Sequence, residues 1–337
     1  MLKKIKKEIL FMVSLVALIG IASLYLNDFA AEYRQKLVAG GRILQAPHYE
    51  ANDIPVFYQI DVNFSERFQR PSKQQALMNP YSFTDFETQD DKSPLITKKF
   101  EKPEDLLLAY YAVIEEASNM SGYSGGCGSV GEGMNPFPYA YELFTKEKQD
   151  SMNLRQFTDS FKGIGHTTLL KVLPAYAPPG TPSNVKYYMV ETEYITGPNT
   201  NNDEEYRHGS YFAYNYGIAA VEQTQEDGWK IKELSYIPED FLCAPYHSWF
   251  YFSDAVVEIV YEYNMKIVDK IEAPEMKNGL IYIKASGNGN QYCFIFTRLT
   301  NGYDILLHEY IMQNGKYIES NILEEKWNLK LSGSTLN

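Results

Sequence analysis

Four Asn-Gly dipeptides, at residues 278–279, 288–289, 301–302 and 314–315, punctuate the last third of the chain at near-regular intervals. Both residues tolerate positive φ, which makes this pair the preferred two-residue connection of an antiparallel hairpin. The runs between them, LIYIKAS, QYCFIFTRL and DILLHEYIM, are strand material, and little but a meander satisfies that rhythm. Upstream, SDAVVEIVYEYNMK reads as a helix from Asp254. A helix plus antiparallel β-meander unit is therefore expected over 246–320, with a polar tail over 321–337.

Residues 103–245 carry a different order. Pro103 followed by Glu104 and Asp105 is a helix start, with a ring that fixes φ and carboxylates at the positive end of the dipole. Leu106, Tyr110, Val113 and Ala117 continue it as an apolar stripe. YAYELFTKEKQDSM reads as a second helix, and NLRQFTDSFKG as a third, capped by Asn153 with Gln156 and ended by Gly163. The period then drops to two in HTTLLKVLPAY, VKYYMVETEYITG, SYFAYNYGIAAVEQT and WKIKELSYIP, four strand-like runs. Residues 37–102, rich in proline, read as a stalk or arm, with VFYQIDVNF at 56–64 as a strand able to dock on a sheet.

At the other end, Lys3, Lys4, Lys6 and Lys7 precede a charge-free apolar run from Ile9 to Leu26. Its length suits a hydrocarbon core better than a signal-peptide centre, and the residues after it make a poor cleavage site. A retained signal-anchor helix within 1–36 is expected, a cleaved signal or a buried core helix being the alternatives. The lysines place that end in the cytoplasm and the bulk of the chain outside the plasma membrane, as a single-pass protein. Residues 1–36 hold six Lys/Arg and three Asp/Glu, leaving 25 and 40 in the remainder, a net charge of −15. An acidic surface of that size is repelled by phosphate backbones, so no nucleic acid is expected as partner.

Three helices leading into a long antiparallel sheet resemble the NTF2-like (cystatin-like) fold over roughly 103–242. The resemblance implies an α+β architecture in which a curved sheet wraps helices as a cone. Membrane-anchored extracytoplasmic proteins of Gram-positive envelopes use this design, which implies other envelope proteins as partners. A cone can also hold a ligand or an enzyme site. The pocket candidates are then His166, Glu191, Tyr187 and Tyr214, with Asp159 as a further carboxylate, Glu191 being read as part of a solvent-facing row. Their spacing selects no catalytic set, so no catalytic residue is assigned.

No metal or cofactor is expected, since the five histidines are scattered and no ligand spacing occurs. The acidic stretch Asp203, Glu204 and Glu205 reads as a solvated hairpin tip. The glycine-rich loop SGYSGGCGSVGEGMNPFP lacks the Lys-Ser/Thr pair and leading strand of a phosphate cradle, and its one charge is Glu132. Aromatics are abundant, with 28 tyrosines. PYHSWFYF gathers Tyr246, Trp249, Phe250, Tyr251 and Phe252, a partner surface, a cell-wall glycan platform or the junction where two folded units pack.

Of the three cysteines, Cys293 lies in a strand, which leaves Cys127 and Cys243 as the disulfide candidate against three free thiols. A bridge closing so long a loop removes about 4–5 kcal/mol of unfolded-state freedom in the entropic account. Non-reducing peptide mapping of protein made in an oxidising compartment should yield a Cys127–Cys243 crosslink with Cys293 free. Free thiols at both positions would defeat the pairing.

Overall fold

The computed structural model describes residues 37–46, 76–87, 99–125, 130–198, 211–241, 248–323 and 329–336. The described residues from Val38 onward belong to one compact unit built on two six-stranded sheets.

The first sheet contains β1 (Leu37–Val38), β2 (Gly41–Ile43), β3 (Ile164–Ala175), β4 (Val185–Thr196), β5 (Tyr211–Thr224) and β6 (Gly228–Pro238), in the order β1-β2-β6-β5-β4-β3. The last four run antiparallel, and β2 joins parallel to β6 through Arg42 and Ile43. One face is covered by α1 (Pro103–Glu115), α2 (Phe137–Glu142), α3 (Lys146–Ser151) and α4 (Leu154–Asp159). Pro103 opens α1 as read from the sequence, and Asn153 and Gln156 cap each other's backbone at the start of α4.

The second sheet contains β7 (Lys270–Ile271), β8 (Glu275–Lys277), β9 (Leu280–Gly287), β10 (Asn290–Arg298), β11 (Asp304–Gln313) and β12 (Lys316–Ser320), ordered β12-β11-β10-β9-β7 with β8 also on β9. Three Asn-Gly pairs turn its hairpins with positive φ at both residues: 53° and 75° at 278–279, 50° and 76° at 288–289, 50° and 77° at 314–315. The fourth behaves differently. Gly302 alone has positive φ there, inside a wider turn from Leu299 to Tyr303. A helix lies against this sheet, α5 (Ser253–Val256), which widens into a π-helix over Val257–Asn264. Met265 N donates to Val260 O and Asn264 Nδ2 to Ile259 O, which keeps the wider turn closed.

The expected fold class, a transmembrane helix followed by a three-helix cone with a four-stranded sheet, is corrected by this architecture. Strands outnumber helices in the described chain, and three of its four leading helices are six residues long. Among the described residues no helix is long and apolar enough to cross a membrane; residues 9–26 lie outside them. The single helix expected over YAYELFTKEKQDSM is two helices, because Thr145 N donates to Ile231 O and Ile231 N to Leu143 O. Pairing with β6 takes the backbone groups that a continuous helix needs. The expected sheet gains β1 and β2 from the proline-rich region.

Described parts of the presumed arm and tail pack into the body. Phe83, Phe86 and Phe100 are buried, and so are Leu323, Leu329 and Leu331. The strand expected at 56–64 lies outside the described residues.

Gly217 lets β5 and β6 approach, since a Cβ there would lie 1.8 Å from the Ser235 carbonyl oxygen. Gly217→Ala should lower the urea midpoint, costing about 1–3 kcal/mol as overpacked sites do. Gly165→Ala, whose added carbon meets nothing nearer than 3.4 Å, should shift it much less.

Candidate functional site

The space between α1 and the first sheet is filled with rings. Tyr110, Tyr111, Phe137, Phe144, Phe157, Phe161, Tyr194 and Tyr236 are all at most 2% exposed. They meet mostly edge to face, as in Tyr110–Phe144 at 5.6 Å and Tyr194–Tyr236 at 6.3 Å. The Tyr111 and Tyr236 hydroxyls pair at 2.9 Å. Burial holds the phenols of Tyr110, Tyr111, Tyr194 and Tyr236 well above their usual range, so they stay neutral.

The four residues expected to line the cone sit on the opposite face of the sheet. Side chains alternate along a strand. Tyr188, Val190, Thr192 and Tyr194 face the helices, Tyr188 donating to Glu104 at 2.7 Å. Tyr187, Met189, Glu191 and Glu193 therefore face away. His166 opposes Ile195 and Tyr214 opposes Glu193, in register with that outer row. His166 is half-buried. Tyr187 packs near Gly333. Burial and a bond to Glu193 push the Tyr214 phenol upward. Asp159 ends α4 in a pair with Arg155 at 3.6 Å.

Glu191 departs most from its reading as a solvent-facing residue, being fully buried. The outer face of the first sheet is covered by the second: Met189, Tyr216, Ile218 and Ile237 pack against Leu299, Tyr303, Ile305 and Leu307. At the rim of this layer stands a carboxylate pair. Glu191 accepts from Thr300 N at 2.8 Å and Thr300 Oγ1 at 2.7 Å on one oxygen, and from Lys171 on the other. Glu239 accepts from Asn301 N at 2.9 Å. Burial first, and then the charge of Glu191, hold the Glu239 carboxyl well above its usual range. Sequence reasoning missed Lys171, Glu239 and the Thr300–Asn301 turn. The only trace was the fourth Asn-Gly pair, which looks like the other three.

The second sheet uses carboxylates in the same way. Asp304 accepts from Ser253 N and Oγ at 3.2 and 2.9 Å and takes Arg298 in a fork at 2.7 and 2.9 Å. Glu309, fully buried, accepts from Tyr261, Ile322 N, Leu323 N and Lys330. These bonds hold the helix start and the C-terminal segment on the sheet. His308 links the two sheets, its Nε2 lying 3.0 Å from the Pro174 carbonyl oxygen.

Of the expected partner surface, Trp249 is fully buried and Phe250, Tyr251 and Phe252 are half-buried. Phe250 packs on both cores, and Tyr251 lies 4.4 Å from the Tyr303 ring. Tyr246, Cys127, Cys243 and residues 203–205 lie outside the described residues. Cys293 is a free, buried thiol pushed upward by burial. Among the described residues no cluster of His, Cys, Asp and Glu could hold a metal.

In the glycine-rich loop, Gly131 brings its backbone against α1's end, where a Cβ would lie 2.4 Å from the Glu116 carbonyl oxygen. Glu132 N donates to Glu116 O and Gly133 N to Val130 O. These donors serve the fold. Two further concavities of about 290 and 280 Å³ are lined by Arg42, Lys148, Lys232 and Glu233, and by Leu44, Tyr216, Ile237 and Tyr303. In the first, Glu233 already binds Arg42 at 3.3 Å and Lys148 at 2.7 Å.

No protein-family model matches the chain, and no curated protein matches it. A solved structure of an Ntf2-like protein involved in plasmid conjugation is similar over 52% of this chain and 84% of its own, at 8% identity and a TM-score of 0.17. This is a distant NTF2-like resemblance and carries no argument about activity.

Replacing Lys171 by Met should destabilise the protein by about 3–5 kcal/mol in chemical unfolding, because Glu191 is left buried without its cation. Adding Glu191→Gln should recover part of that loss, since the neutral amide keeps an acceptor for Thr300 and carries no buried charge. A double variant less stable than Lys171→Met alone would refute this account.

Proposed function

We propose that the chain is a non-catalytic protein-interaction module of a cell envelope. The observation that supports this most is the aromatic packing between α1 and the first sheet: rings fill the space where a ligand or a catalytic group would otherwise sit. The buried carboxylates add to it, because their bonds are spent on holding segments of the fold together.

What remains for partners is on the outside. Tyr211 and Phe212 are 52% and 63% exposed at the start of β5, beside the half-buried Ile195 and His166. Tyr317 and Ile318 are 38% and 45% exposed on β12. That strand ends its sheet, and an edge with apolar side chains is a template for an added strand. Placement of the body outside the cell is proposed from the sequence alone, from the lysines ahead of residues 9–26 and the acidic remainder.

Photo-reactive residues at 212 and 318, introduced singly in living cells of the source organism, should give crosslinked adducts of defined mass. A third at the exposed Glu147 should give none. Adducts no more frequent at 212 and 318 than at 147 would overturn the proposal. Protease added to intact cells should also remove the folded body; protection until lysis would reverse the orientation.

A further inference from the structure

The rim between the sheets contains one polar atom that the bonding described so far leaves unexplained. Glu239 Oε1 is buried and has no hydrogen-bond partner among the described residues, although the Glu239 side chain lies beside Glu191, the two binding adjacent residues of one turn. Two ionised carboxylates offer acceptors only, so they cannot bond to each other. An unmade bond on a buried charged oxygen is costly.

The surrounding charges do not remove the problem. Lys171 from β3 faces Glu191 from β4, and Tyr214 from β5 faces Glu193. Asp240 follows Glu239 in the chain, its carbonyl accepting from Asn301 Nδ2 at 3.3 Å. Among the described residues the second sheet brings neutral donors here, those of Thr300 and Asn301. Two carboxylates therefore face one cation among them. Glu191 has Lys171 and two Thr300 donors. Glu239 has a single backbone donor on Oε2.

We infer that Glu239 and Glu191 hold one proton between them in the folded protein, and that this proton makes their grip on the Thr300–Asn301 turn sensitive to pH. Glu239 carries it on Oε1 and donates it to the Glu191 carboxylate, which satisfies the orphaned oxygen. Deprotonation sends the proton to solvent and leaves two negative charges side by side in a site closed to water. The junction between the sheets is then the part that weakens.

The sign follows from linkage. In the unfolded chain Glu239 ionises in the ordinary carboxyl range, about 4.3, whereas the folded protein retains the proton to higher pH. Between those two values the folded state binds more protons, so stability falls as pH rises and levels off once Glu239 ionises in place.

The test uses infrared spectroscopy and denaturant unfolding of the full-length protein, wild type and Glu239→Gln. Wild type at neutral pH should show the C=O stretch of a protonated carboxyl, and E239Q should lack it. Over the window above, the unfolding equilibrium constant of wild type should rise about tenfold per pH unit relative to E239Q, the slope for one proton. Should E239Q not fold, Glu191→Gln serves instead: without the like charge beside it Glu239 ionises more readily, and the band is lost at a lower pH than in wild type. A wild-type spectrum without the band, a band that persists in E239Q or is lost at the wild-type pH in E191Q, or parallel pH profiles would each overturn the inference.

Discussion

Two sheets that share no strand are joined by a turn held between carboxylates. Thr300 and Asn301 present two backbone donors and a hydroxyl, and Glu191 and Glu239 receive them from β4 and the end of β6. The apolar layer between the sheets supplies most of the burial, through Met189, Ile218, Ile305 and Leu307. Apolar contact is non-directional, however, and would tolerate sliding of one sheet over the other. Hydrogen bonds to backbone N–H groups are directional, so they fix where the layer stops.

That arrangement explains why one of four similar turns departs from the rest. At 278–279, 288–289 and 314–315 the Asn-Gly pair closes a two-residue hairpin with positive φ at both residues. Those turns are open to solvent and need only the right backbone angles. At 299–303 the turn is wider, with Leu299 N bonded to Tyr303 O. Its extra residues carry Thr300 and Asn301 to the first sheet, while Leu299 and Tyr303 enter the shared core.

How much of this could be read in the sequence depended on whether the signal was local. The start of α1 at Pro103, the cap at Asn153 and Gln156, and the three regular hairpins are set by residues within a few positions of each other, and these were legible. Glu191 was not. The run VKYYMVETEY alternates, which reads as one wet face and one dry, yet both faces of β4 are covered and the carboxylate has its cation on β3 and its donors on another sheet. The break between α2 and α3 had the same origin, since Ile231 lies far along the chain from Leu143 and Thr145. The aromatic run at 249–252 was read with the junction among its possibilities. Its composition could not choose between a surface and a seam, because both favour large rings with a polar tip.

The tyrosines between α1 and the first sheet show how that layer is closed. A phenol buried without a partner costs more than a phenylalanine would, yet Tyr110 and Tyr194 keep hydroxyls with no hydrogen-bond partner among the described residues. Edge-to-face contact of Tyr110 with Phe144 and of Tyr194 with Tyr236 offsets part of that cost, and the neutral phenols leave no charge in the layer. The exposed apolar residues of β5 and β12 are of another kind. They contribute to neither core and their exposure is unfavourable in water, so the packing of the fold does not account for them, and it is on this that the proposal of a partner surface rests.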